Sequence, residues 1–155
     1  MRASPLATVG SALVIVVISA ALGVAVNAAS SSGLPLRAER TTPVGVVTLG
    51  AARAAFLDDA ALFIDARSSA AFATRHIKGS LSVPFMTRER RRDRLVGAVP
   101  RTRRLIVYCD GPACGQASEL ATWLRRQGWR DVAVFLDGLP AWRRAGLPLA
   151  TGDRP

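Results

Sequence analysis

The stretch Leu105-Ile-Val-Tyr-Cys109, which runs through Asp110-Gly-Pro-Ala-Cys-Gly-Gln116 into Ala117-Ser-Glu-Leu-Ala-Thr-Trp-Leu124, decides the fold. An apolar run bounded by turn residues reads as a buried strand. A short Gly/Pro loop follows. Leu120, Trp123 and Leu124 then recur at helical spacing, which predicts an amphipathic helix over Gln116–Gln127. This strand–loop–helix order delivers Cys109 to a strand's carboxyl end. There the loop N–H groups and the positive end of the next helix favour an anion. A thiolate is such an anion, so Cys109 is the candidate nucleophile. The bland alternative is a core cysteine at a strand end.

Outward from this stretch, short apolar runs alternate with helical patterns. Val44–Val47 reads as a strand, and Thr48 caps a helix over Gly50–Leu57. Ala61-Leu-Phe-Ile64 is a buried-strand run, and Ser68 caps a helix that ends near His76. Leu81-Ser-Val83 is a short strand before Pro84. Met86–Val96 is Arg-rich, helix or loop. Val132–Leu136 reads as a strand, and Leu139–Arg144 as a last helix before Gly146 and Pro148. The alternation predicts an α/β fold with a parallel sheet covered by helices on both faces. In such sheets ligands bind beyond the carboxyl ends of the strands. Asp65 and Arg67 follow one strand and Cys109 another, so all three belong to one rim.

The chain has 155 residues and a formal charge of +10, with Lys78 its one lysine. So basic a chain has nucleic acid, anionic lipid or small anions as candidate partners. No aromatic-and-basic pattern marks a nucleic-acid surface, and none is expected. Two cysteines form no disulfide framework, and a single histidine excludes a His-rich metal site. From Ala3 to Leu36 there is no charge, and Leu13–Val26 is strongly apolar. Val9–Ala29 is therefore expected to be a retained transmembrane anchor if Gly10, Ser11 and Asn27 are tolerated. The alternative is a signal peptide with Arg2 as its n-region and Val26-Asn27-Ala28 as its cleavage site. Arg37, Glu39 and Arg40 leave the charge asymmetry weak; a cytoplasmic amino terminus and a domain outside the cytoplasm, periplasmic or extracellular, are expected. The expected organisation is an anchor or signal segment over 1–29, a linker over 30–41, a folded domain over 42–150 and a tail over 151–155; Ala29-Ser-Ser-Ser-Gly-Leu-Pro35 is the turn-rich stretch where the first passes into the second.

From Thr42 to Ala150 the chain resembles a single-domain rhodanese. Ile64-Asp-Ala-Arg67, Ser68-Ser-Ala-Ala-Phe72, His76-Ile-Lys-Gly79 and Pro84 are similar to the family's first signature region. Val107-Tyr-Cys109 is similar to its strand and catalytic cysteine. Leu136-Asp-Gly-Leu-Pro-Ala-Trp142 with Gly146-Leu-Pro148 is similar to its carboxy-terminal signature. The resemblance implies sulfur transfer. Cys109 takes the outer sulfur of a donor such as thiosulfate or a persulfide, and passes it to a thiol or cyanide-like acceptor. Such ping-pong chemistry through a covalent intermediate suits a thiolate. The resemblance implies no metal and no organic cofactor.

The expected anion cradle is the loop Asp110, Gly111, Pro112, Ala113, Cys114, Gly115 and Gln116, with Arg67 as a further substrate contact or a tie between loops. The sequence departs from the family in three places. The loop carries no cation and begins with Asp110, which raises the thiol pKa if its carboxylate faces the sulfur. Arg75 stands where a glycine is usual, and Asp137-Gly138 where two glycines are usual. Rhodanese-related phosphatases need an arginine closing the loop, where this chain has Gly115 and Gln116; phosphate chemistry is disfavoured. Cys114 is either an idle loop thiol or a partner that resolves Cys109 by forming a disulfide. The rival to an enzyme is a weakly catalytic binding or thiol–disulfide module built on this pair. His76 is expected to be structural. Phe72, Trp123 and Trp142 are expected in the core. The cluster Arg88, Arg90, Arg91, Arg92 and Arg94, relieved by Glu89 and Asp93, is a solvated face, a lipid contact or an anion guide.

Overall fold

The computed structural model describes residues 5–30 and 44–154; for residues 5–12, 92–94 and 96 only the backbone is described. The expectations placed on Arg2, on linker residues 31–41 (Arg37, Glu39 and Arg40 among them), on Thr42, on the side chains of Arg92, Asp93 and Arg94, and on Pro155 lie outside the described residues. The chain divides into two compact units, Met1–Arg40 and Thr41–Pro155.

The first unit holds helix α1, Pro5–Ala29. Its described side chains begin at Leu13, and the large apolar ones are exposed. Among the described residues no helix is long and apolar enough to cross a membrane. The expected membrane anchor is therefore not supported.

In the second unit the elements follow the sequence pattern closely. Strands β1 (Gly45–Val47), β2 (Leu62–Asp65), β4 (Leu81–Ser82), β5 (Leu105–Tyr108) and β6 (Val132–Phe135) form one sheet, ordered β1-β6-β5-β2-β4. Every pairing in it is parallel. Helices α2 (Leu49–Leu57) and α3 (Ser69–Thr74) start where Thr48 and Ser68 accept hydrogen bonds from the N–H groups of Ala51 and Ala71, at 3.3 and 3.2 Å. The Arg-rich segment is helical: a 3-10 turn, Phe85–Thr87, leads into α4, Arg88–Ala98. Helices α5 (Gln116–Arg126) and α6 (Gly138–Arg144) complete the layers. One feature has no counterpart in the sequence expectations, a small antiparallel pair of β3 (His76–Ile77) with β7 (Leu149–Ala150). Two-residue strands lack the periodicity that marks longer ones.

The two-residue alternation of strands divides the core between the sheet's faces. Leu105, Val107 and Cys109 point to the side packed by Leu95, Leu120, Leu124 and Trp129. Ile106 and Tyr108 point to the other side, with Ala52, Phe63, Phe135 and Trp142. Trp142 makes edge contacts with Phe56 and Phe135. Both faces of β5 are thus dry, which makes the end of this strand a rigid platform.

Candidate active site

Parallel register brings three strand ends together. Asp65 pairs with Tyr108, and Tyr108 with Phe135, so β2, β5 and β6 finish level. Their following segments, 66–68, 109–115 and 136–138, share one rim, which the sequence predicts for the first two and not for the third. Cys109 leaves β5 there and is 2% exposed.

Cys109 and Cys114 are joined by a disulfide, with Cα atoms 6.2 Å apart. The loop folds back to allow this. Gly111 takes a positive φ of 125°, and the Cys114 N–H donates to the Gly111 carbonyl at 3.0 Å. That turn takes one N–H from the expected cradle, and Pro112 has none to offer. Helix α5 begins at Gln116, so the loop is residues 110–115 and Gln116 opens the helix. The Gln116 Oε1 lies 3.9 Å from Cys109 Sγ and 4.0 Å from Cys114 Sγ. Cys114 is half-buried, and Pro112 and Ala113 are exposed.

Gly138 supports the loop from below. Its φ is 59°, and a Cβ there would collide with the Cys109 carbonyl and lie 2.8 Å from the Gly111 nitrogen. The Leu139 N–H donates to that same Cys109 carbonyl at 2.9 Å. Of the two glycines usual in this signature, the chain keeps the one that the packing requires.

Arg67 ties the rim together. Its Nε and Nη2 donate to Asp65 at 3.0 and 2.7 Å, Nη2 also reaches the Arg75 carbonyl at 2.6 Å, and Nη1 reaches Asp110 at 3.2 Å. Burial works against its charge, but the hydrogen bond and charge of Asp65, with the charge of Asp110, carry its pKa above the ordinary arginine value. Every guanidinium nitrogen has a protein acceptor. The Asp110 carboxylate therefore faces the guanidinium; it is 64% exposed.

Beneath the rim, the Tyr108 hydroxyl accepts from the Ile77 N–H at 3.1 Å and lies 2.9 Å from Ser80 Oγ. Burial first, and then the Asp65 charge, push its pKa well above the usual tyrosine value. His76 is fully buried, stacked on Phe72, with Nδ1 2.9 Å from the Phe72 carbonyl. A carbonyl only accepts, so Nδ1 carries a proton there. Trp123 and Phe72 are buried as expected, and Trp123 Nε1 donates to Glu89 at 2.7 Å. In the Arg-rich helix, Arg88 donates to the Phe85 carbonyl at 2.7 Å and stacks over the Phe85 ring.

An open cleft of about 360 Å³ adjoins the loop, lined by Arg67, Thr74, Arg75, Asp110, Pro140 and Arg143 among others. Arg75 and Arg143 are its exposed cations. Neither was expected at the site. Arg75 was visible only as a departure from a family glycine, and Arg143 as one of two adjacent arginines in α6. Among the described residues, no cluster of His, Cys, Asp and Glu is suited to a metal ion.

Residues 49–145 match the family model of the rhodanese-like domain. The chain is similar to an HTH-type transcriptional regulator of Mycobacterium tuberculosis, 33% identical over 57% of this chain and 37% of that protein. It is similar to the mitochondrial protein HIGH ARSENIC CONTENT 1 of Arabidopsis thaliana, 30% identical over 64% of this chain and 61% of that protein. A sulfurtransferase of Allochromatium vinosum is 28% identical over 59% of this chain and 80% of that protein. The chain thus spans less than two thirds of the first two relatives. Among solved structures, thiosulfate sulfurtransferase from Pseudomonas aeruginosa superposes with a TM-score of 0.59 at 32% identity, covering 70% of this chain and 20% of that one.

Proposed function

The chain belongs to the rhodanese-like domain family, and from that membership we propose that its dithiol form is a sulfurtransferase with Cys109 as the sulfur carrier. The family and its sulfurtransferase relatives suggest sulfur transfer in general. In the finer reading, the Cys109 thiolate attacks the outer sulfur of thiosulfate or a small persulfide. Sulfite or a thiolate leaves, and Cys109 holds the sulfur as a persulfide. An acceptor thiol or a cyanide-like nucleophile then removes it. This chemistry calls for neither metal nor organic cofactor.

The observation that carries this reading is the position of Cys109. It stands at the end of a rigid central strand, at the root of a loop, with the first residue of α5 within 4 Å of its sulfur. Helix N–H groups and loop amides offer partial positive charge to an anionic persulfide. The cleft beside the loop, with Arg75 and Arg143, suits an anionic donor. A disulfide persists best in an oxidising compartment, which favours a site of action outside the cytoplasm.

Mass spectrometry of the reduced full-length chain tests the reading. Exposure to thiosulfate, or to a low-molecular-weight persulfide, should add about 32 Da, one sulfur atom, and the gain should vanish in Cys109→Ser. Failure to load from every donor would reject it. A second reading, a thiol–disulfide module, is favoured by the Cys109–Cys114 bond itself. That reading expects ready disulfide formation with no sulfur loading.

A further inference from the structure

We propose that Cys114 is an internal resolving thiol that displaces the sulfur carried by Cys109, which makes the domain a thiol-dependent releaser of sulfide. The proposal rests on Cys109 being the sulfur carrier, and goes beyond it by naming where the persulfide goes.

The two sulfurs are within bonding distance, in a loop that folds back through Gly111 and the Cys114–Gly111 turn. A bridge between residues five apart closes a short loop, which removes less entropy from the unfolded chain than a longer one would. The loop is already held by Gly138, Leu139 and Arg67, so the bond is not needed to shape the rim. What it provides is chemistry. A persulfide on Cys109 sits beside a second thiol held in place, and intramolecular attack outpaces attack by a dilute external thiol. Cys109 is buried, whereas Cys114 is half-exposed. An external acceptor meets Cys114 first.

The balance is as follows. The Cys109 thiolate bonds to the outer sulfur of thiosulfate, and the S–S bond to sulfite breaks. The Cys114 thiolate then attacks Cys109 Sγ. The bond from Sγ to the carried sulfur breaks, the Cys109–Cys114 bond forms, and the carried sulfur leaves as HS⁻. Two thiols and thiosulfate give the disulfide, sulfite, HS⁻ and one proton. Two electrons pass from the cysteine pair to the sulfane sulfur. A dithiol reductant of the thioredoxin class restores the pair, attacking the more accessible Cys114 sulfur and releasing Cys109 as the thiolate.

The test uses the reduced full-length chain, freed of reductant and mixed with thiosulfate or with glutathione persulfide. Sulfite, sulfide and intact mass are followed over a single turnover. Wild type is expected to release about one sulfide per chain and to finish about 2 Da below its dithiol mass. Cys114→Ser and Cys114→Ala, made together so that one folded variant suffices, are expected to hold the adduct of about 32 Da and to release sulfide at least about tenfold more slowly. If wild type keeps its adduct as long as these variants do, the resolving role of Cys114 is overturned while Cys109 stands as carrier. If neither wild type nor variant loads from either donor, and no sulfide appears, the carrier reading itself falls.

Discussion

The Oδ1 of Asp110 lies 3.2 Å from the Nη1 of Arg67, whose other nitrogens hold Asp65 and the Arg75 carbonyl. An acid next to a catalytic thiol would oppose its ionisation if it faced the sulfur. Here it faces a guanidinium, and the loop is tied through it to the segment after β2. The pair is largely exposed on the Asp110 side, so its value lies in orientation more than in stability.

Asp110→Asn therefore leaves Arg67 Nη1 with a neutral partner and removes a negative charge from the rim. We expect thiosulfate to load Cys109 about three- to tenfold faster at low ionic strength, and the gain to shrink as salt screens it. Stability should change by less than about 1 kcal/mol. Sulfite release in stopped flow measures the first effect; an unchanged rate at low salt would show that Asp110 does not govern donor approach.

Charge reversal at the cleft's exposed arginines works the other way. Arg143→Glu and Arg75→Glu place carboxylates in the cleft beside the loop. Loading by thiosulfate should slow by about three- to tenfold in each variant, while loading by a persulfide of low charge changes little. Equal losses with both donors would point to damage in the fold instead of donor steering.

Gly138 is replaceable only at a cost. At a φ of 59° the added methyl of Gly138→Ala meets the Cys109 carbonyl, so backbone strain and a steric clash combine to about 2–4 kcal/mol. Gly146 has a similar φ of 65° with open space around it, and Gly146→Ala should cost only about 1–2 kcal/mol. Urea midpoints of the two variants compare these directly, and a Gly138→Ala midpoint no lower than that of Gly146→Ala would contradict the clash.

Tyr108 confers a stability that alkali removes. Its folded pKa is raised above the ordinary 10.0. The neutral form is the one the fold favours, so the contribution is intact below about pH 10. It is lost as pH rises from there toward the folded value, because the unfolded state ionises first. Tyr108 is the one tyrosine in the chain, so tyrosinate absorbance reports on it alone. Below pH 12, absorbance should rise only with unfolding; a rise in the folded protein near pH 10 would show the hydroxyl to be accessible. Tyr108→Phe should flatten the alkaline loss, while orphaning the Ile77 N–H at about 1–3 kcal/mol.

Much of the α/β core was legible because its signals are local. Four consecutive apolar residues announce β5, Thr48 and Ser68 announce two helix starts, and the spacing of Leu120, Trp123 and Leu124 announces α5. The two-residue strands β3 and β7 stayed hidden, since each exists only by virtue of the other. Arg75 and Arg143 stayed hidden as cleft residues for the same reason: an exposed arginine looks alike in sequence whether it lines a site or faces water. The apolar amino-terminal stretch reads as a membrane anchor in sequence, but among the described residues no helix is long and apolar enough to cross a membrane.

The sequence by itself determined the strand–loop–helix that holds Cys109, the alternation of strands and helices, and the likeness to a sulfur-transfer family. Periodicity, caps and motif spacing are written along the chain, and each rests on neighbours a few residues apart. Only the tertiary structure decided that Asp110 turns to Arg67, that Gly138 must lack a side chain beneath Cys109, and that Cys114 meets Cys109 across the loop. Those relations depend on where side chains point after three strands end level on one rim, and direction in space is not encoded by spacing along the chain.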